Sequence, residues 1–81
     1  MKNFHLTIAK VGENIFDGEA VSVTLPGVEG DFEVLAGHEA FVSELRAGTA
    51  CVRIAEGKIE CHEIPAGGIA EISNNQATVL L

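Results

Sequence analysis

Tryptophan and tyrosine are missing altogether from the 81 residues, and there are only four phenylalanines. The core must therefore be assembled from valine, isoleucine, leucine, alanine and those few rings. That suits a compact sandwich of small side chains better than a ligand cavity walled by aromatics. Basic residues are also scarce: five lysines and arginines stand against twelve carboxylates, for a formal charge of −7. Binding to a phosphate backbone draws its affinity from cations that displace counterions, so this balance argues against a nucleic-acid partner, and anionic lipid would repel the chain. No apolar run approaches the roughly 20 residues that a membrane-spanning helix requires. No direct membrane insertion is expected, and any membrane association has to come through a protein partner. The opening Met1-Lys2-Asn3-Phe4-His5-Leu6-Thr7 is too short and too polar for a signal peptide, which predicts a cytoplasmic chain.

Chemical motifs are missing as well. There is no glycine-rich loop ending in Lys-Ser or Lys-Thr to hold phosphates, no Gly-x-Ser-x-Gly elbow and no His-Glu-x-x-His. His38 would need an orienting partner to act as acid or base, and only Glu33 and Glu39 are near it in sequence. The expectation is no catalytic residue, no cofactor and no metal, and hence a binding or structural module. The length leaves room for a single domain over residues 1–81, and a chain this small buries only about 60% of the surface its unfolded form exposes.

What is present is strand pattern. Glu29-Gly30-Asp31-Phe32-Glu33-Val34-Leu35-Ala36-Gly37-His38 reads as a short alternating strand between two glycine corners, with Phe32 and Val34 on one face and Asp31 and Glu33 on the other. Phe4, Leu6 and Ile8 line one face of an earlier strand. A turn is expected at Gly12-Glu13-Asn14 and a second at Asp17-Gly18. Val21, Val23 and Leu25 then face inward until Pro26-Gly27 stops the strand. Phe41 to Arg46 reads as one more strand. Asn74-Asn75 turns a last hairpin, pairing Ile72 with Ala77 and Ala70 with Val79 and leaving Ile69 and Leu80 together on the opposite face. With no helical period and turn signals about every ten residues, the fold class is all-β, a two-sheet β-sandwich of mostly antiparallel strands.

The two cysteines call for a test of register. If Glu56-Gly57 is a two-residue turn, Ala55 pairs with Lys58, Ile54 with Ile59, Arg53 with Glu60, Val52 with Cys61 and Cys51 with His62. The inner face is then Val52, Ile54, Ile59 and Cys61, and Arg53 and Glu60 form an outward ion pair. Side chains one position apart point to opposite faces, so the register predicts free thiols, as a reducing cytosol favours. Cys51 and His62 alone do not make a closed zinc site, which needs a full tetrahedral set.

Glu29-Gly30-Asp31-Phe32-x-Val34-Leu35-x-Gly37-His38, followed by Phe41-Val42-Ser43-Glu44-Leu45-Arg46-Ala47-Gly48, resembles the amino-terminal domain of the epsilon subunit of F-type ATP synthases. His5-Leu6, Phe16-Asp17-Gly18 and Ala66-Gly67-Gly68-Ile69-Ala70-Glu71-Ile72 with Ala77-Thr78-Val79-Leu80 are similar to it too, in collinear order. The resemblance implies two packed sheets of five strands each and a non-catalytic role at the foot of the central stalk. It implies two partners, the gamma subunit and the membrane rotor ring of c subunits, with torque from proton flow passing through the chain. By the same resemblance, Val28, Glu29, Gly30 and Asp31 would face the rotor ring, and the surface around Lys10, His38, Phe41 and Ser43 would meet gamma. Ala36 and Glu39 stand within the segment where the family commonly has Pro-Gly-His-Ala-Pro, so the Gly37-His38 corner is less rigid here. The sequence stops at Leu81, where many family members continue into a helical hairpin that inhibits hydrolysis or binds ATP; without it neither activity is expected. The alternative is a biotinyl or lipoyl carrier domain presenting Lys58 at a hairpin tip, although Gly57-Lys58-Ile59 lacks the tripeptide those carriers use.

Overall fold

Alternation between apolar and polar residues is what the backbone follows. The computed structural model describes residues 2–55 and 57–81, and among them nine strands form two sheets. In the first strand, β1 (Phe4–Lys10), Phe4, Leu6 and Ile8 are buried while His5 and Thr7 lie on the other face. The chain turns at Gly12, whose φ of +80° is costly for a residue with a Cβ. It returns as β2 (Glu13–Ala20), antiparallel to β1. The expected turn at Asp17-Gly18 does not form. Both residues lie inside β2, opposite Thr7 and Leu6, and Asp17 is occupied by His5 across the ladder.

After Val21 the chain enters the second sheet as β3 (Ser22–Gly27), with Val23 and Leu25 fully buried, and folds back as β4 (Gly30–Leu35), where Val34 is buried. The strand expected over residues 41–46 is shorter: β5 runs Phe41–Glu44 in the first sheet. At Leu45 the chain leaves that sheet, bridges Gly27 and passes to the second. There β6 (Gly48–Ala55) and β7 (Lys58–Ile64) form a hairpin. Finally β8 (Ile69–Ser73) and β9 (Gln76–Leu80) pair through Asn74 and Asn75, at φ of 51° and 60°. Their register is the expected one, Ile72 with Ala77 and Ala70 with Val79. The sheet orders are β2-β1-β9-β8-β5 and β4-β3-β6-β7, with β1 parallel to β9 and the other pairs antiparallel. The sheets thus have five and four strands, where the resemblance implied five and five. The core between them is aliphatic apart from Phe4.

The β6–β7 hairpin corrects the expected register and with it the free thiols. Ala55 does pair with Lys58, but Arg53 pairs with Ile59, so Ile54 is an extra residue, a β-bulge. From there on β7 is displaced by one position. Cys51 stands directly opposite Cys61, with 4.1 Å between their Cα atoms, and the two are joined as a disulfide. The other face of β7 changes accordingly. Glu60 and His62 turn toward the sandwich, half-buried and 3.0 Å apart, while Ile59 is 58% exposed. The expected Arg53–Glu60 pair is absent from the ladder, because Arg53 faces Ile59 and Ser22. Glu56, expected in the turn, lies outside the described residues; Gly57 beside it has φ +70°.

Candidate functional site

The edge strands β4 and β5 belong to different sheets, and the sandwich is open between them. The cleft there, of about 480 Å³, is lined by Val28, Asp31, Phe32, Phe41, Val42 and Glu44 among others. Phe32 on β4 and Phe41 on β5 meet edge to face, with ring centroids 5.1 Å apart and an interplanar angle of 72°. That arrangement sets the positive edge of one ring on the negative face of the other. The His38 ring lies tilted against Phe41, with centroids 6.0 Å apart, and its Nδ1 is 2.7 Å from the Glu39 carbonyl oxygen. Its hydrogen-bond partner is thus a backbone group and neither of the carboxylates near it in sequence.

At the other end of the cleft, Gly27 pairs with Gly30, so Val28 and Glu29 are the two-residue tip of the β3–β4 hairpin. Val28 is 53% exposed, and its N–H donates to the Glu44 carbonyl at 3.0 Å, tying the tip to β5. Asp31 is already in β4, opposite Pro26. Arg46 flanks Pro26 from the other side, its N–H donating to the Pro26 carbonyl at 2.9 Å. The Arg46 guanidinium reaches back over the end of β3, where one nitrogen donates to the Gly27 carbonyl and the other lies 2.6 Å from Asp31 Oδ1.

The structure therefore brings Val28, Glu29, Gly30 and Asp31 together at one hairpin end. His38 and Phe41 stand together at the start of β5, and Ser43 is two residues further along the same face. Phe41 and Ser43 line the same cleft as the hairpin tip, so the two expected contact groups adjoin. Lys10 does not join them. It ends β1, three strand positions from β5, and pairs with Glu13 at 3.5 Å. Sequence reasoning missed Arg46 and Phe32 as parts of this rim. One signal was available: Arg46 is the only lysine or arginine between Lys10 and Arg53 in an acidic chain. Among the described residues, no three His, Cys, Asp or Glu side chains gather as a metal site, and no helix is long and apolar enough to cross a membrane.

These features define a small β-sandwich domain with an acidic, partly apolar rim. The family model described as "ATP synthase, Delta/Epsilon chain, beta-sandwich domain" matches residues 3–81, and the chain belongs to that family. The ATP synthase epsilon chain of Afipia carboxidovorans is 45% identical over 82 residues, which cover 99% of this chain and 57% of the relative. That of Bordetella avium is 41% identical, covering 99% and 56%. The chain thus spans somewhat more than half the length of the curated relatives it matches. Among solved structures, a chain of the Euglena gracilis mitochondrial ATP synthase, OSCP/F1/c-ring, superposes with a TM-score of 0.88 at 29% identity, over 96% of this chain and 49% of that one. A chain of the Tetrahymena thermophila mitochondrial ATP synthase central stalk and c-ring has the same fold, with a TM-score of 0.78 at 12% identity.

Proposed function

We propose that this chain is the β-sandwich part of an epsilon subunit in the central stalk of a proton-translocating F-type ATP synthase, on the cytoplasmic face of the membrane. It does no chemistry there. It links the gamma subunit to the ring of c subunits and so couples proton flow to ATP synthesis. The observation that carries this reading is the family match over nearly the whole chain. The superposition on a chain of an F1/c-ring assembly supports it.

In this reading Val28, Glu29, Gly30 and Asp31 meet the rotor ring, and the rim around His38, Phe41 and Ser43 meets gamma, while any contact of Lys10 with gamma is a separate one across the sheet. A carboxylate-bearing tip facing basic side chains gives orientation and on-rate more than affinity. An edge-to-face aromatic pair, partly exposed, supplies the kind of anchor that dominates protein interfaces. The test is the double variant Glu29→Lys with Asp31→Lys in the assembled synthase. Charge reversal at the tip is expected to lower proton-driven ATP synthesis severalfold while ATP hydrolysis by the detached head is unchanged. Unaltered synthesis contradicts the placement of the tip on the ring.

A further inference from the structure

We infer that the two carboxylates of the hairpin tip have separate jobs, divided by Arg46: Arg46 is a positioning residue that holds Asp31, and Glu29 is the carboxylate left to meet a basic partner. The inference rests on the proposed docking of the tip. It starts from where the side chains stand. Glu29 is at the tip itself, exposed, and among the described residues it makes no ion pair. Asp31 is two residues on, inside β4, with its Oδ1 2.6 Å from the Arg46 guanidinium.

Arg46 holds more than a charge. Its planar fork spans a carbonyl at the end of β3 and a carboxylate at the start of β4, the two strands that meet at the tip, and its own backbone is bonded to Pro26. A lysine ammonium carries the same charge without that fork. The hairpin end is tight enough for the clamp to matter: a Cβ on Gly27 would stand 2.7 Å from the Gly30 carbonyl oxygen and 3.1 Å from the Phe32 ring. Gly30 itself has φ +134°. A closely packed end of this kind, with a freely rotating glycine in it, is held in one shape by its outer contacts. With Asp31 paired to Arg46, Glu29 is the carboxylate of the tip itself that has no ion pair among the described residues, and Glu44 across the cleft is another without a partner.

The experiment pairs two readouts on Glu29→Gln, Asp31→Asn, Arg46→Gln and Arg46→Lys. One is binding of the chain to purified, detergent-solubilised rotor ring over a range of salt. The other is hydrogen exchange at the Val28 amide, which donates to Glu44. Glu29→Gln is expected to weaken binding about tenfold and flatten its salt dependence, with Val28 exchange as in the wild type. Asp31→Asn and both Arg46 variants are expected to speed Val28 exchange about tenfold, with amides in β1 and β9 unaffected. Asp31→Asn is also expected to leave the salt dependence of binding in place. If Asp31→Asn flattens the salt dependence as Glu29→Gln does and Val28 exchange stays slow, Asp31 meets the partner and the division is overturned. If the wild-type chain does not bind the ring, the docking reading fails. The exchange rates then still decide whether Arg46 holds the tip.

Discussion

His5 faces outward from β1 with Asp17 Oδ1 2.7 Å from its Nε2 and Glu19 Oε2 3.4 Å from its Nδ1. The hydrogen bond to Asp17 raises its pKa from the ordinary 6.5; desolvation, the next largest effect, acts the other way, and the hydrogen bond to Glu19 and the two carboxylate charges add to the rise. The proton is thus held more tightly in the folded chain than in the unfolded one. Any stability this contributes is fully present below the unfolded value and is lost as pH rises through the folded one. An NMR titration of the His5 ring protons is expected to give a midpoint above 6.5 in the native chain and to move back toward that value in Asp17→Asn. Equal midpoints in the two proteins would show that the contact does not form in solution. The same contact explains why Asp17-Gly18 does not turn. A dipeptide preference of this size gives way to a strand that pairs with β1 at every position but Ile15 and provides a hydrogen-bond partner for Asp17.

At the scale of the element, the β6–β7 hairpin is the most consequential departure from alternation. The bulge at Ile54 leaves Val52 and Ile54 facing inward, yet it reverses β7, so that Glu60 and His62, 3.0 Å apart, face the sandwich and Ile59 faces water. Alternation in the sequence favours the opposite arrangement. A bulge is set by three-dimensional packing and leaves no mark in a period of two. By contrast, the register of β8 and β9 was legible, because two asparagines that tolerate positive φ fix a two-residue turn with nothing extra. β1 and β4 were legible for a similar reason, each having one more buried face and one wetter one, whereas β3 is buried at every position but Thr24, Ser22 included. The rim was only partly legible. The tip residues are contiguous in sequence, whereas Arg46 reaches Asp31 only because the chain changes sheets at Leu45.

The bulge makes a testable statement about the cysteines. A disulfide closing a loop with a sequence separation of 10 is worth about 2–3 kcal/mol by loop-closure entropy. In air-oxidised protein no thiol is expected to react with a thiol reagent before denaturation and reduction. Treatment with a dithiol should lower the unfolding free energy by about 2 kcal/mol. Two titratable thiols in the oxidised native protein, or identical denaturant midpoints with and without dithiol, would restore the unbulged register.

For the whole molecule, what matters is that one rigid body offers several kinds of surface. Its core is continuous from sheet to sheet, and the crossover at Leu45 ties the sheets together through bonds to Gly68 and, at Arg46, to Pro26. Load applied at the β3–β4 tip therefore meets a packed body with little give. On the outer face of the five-stranded sheet, Ile69 and Leu80 stand opposite each other, 46% and 58% exposed, with no strand over them among the described residues. At the open edge between the sheets lies the rim of Phe32, Phe41 and the acidic tip. A domain that links two bodies needs surfaces that can be engaged at the same time, and here the tip and the Phe41 and Ser43 rim adjoin along one cleft, with His38 against Phe41 outside its lining. The most direct measurement is a capture assay with purified gamma subunit, purified rotor ring and this chain, with gamma immobilised. The proposal predicts that the ring is retained only when the chain is present, and less so with Glu29→Lys and Asp31→Lys. Retention of neither protein, or displacement of gamma as the ring is added, would contradict it.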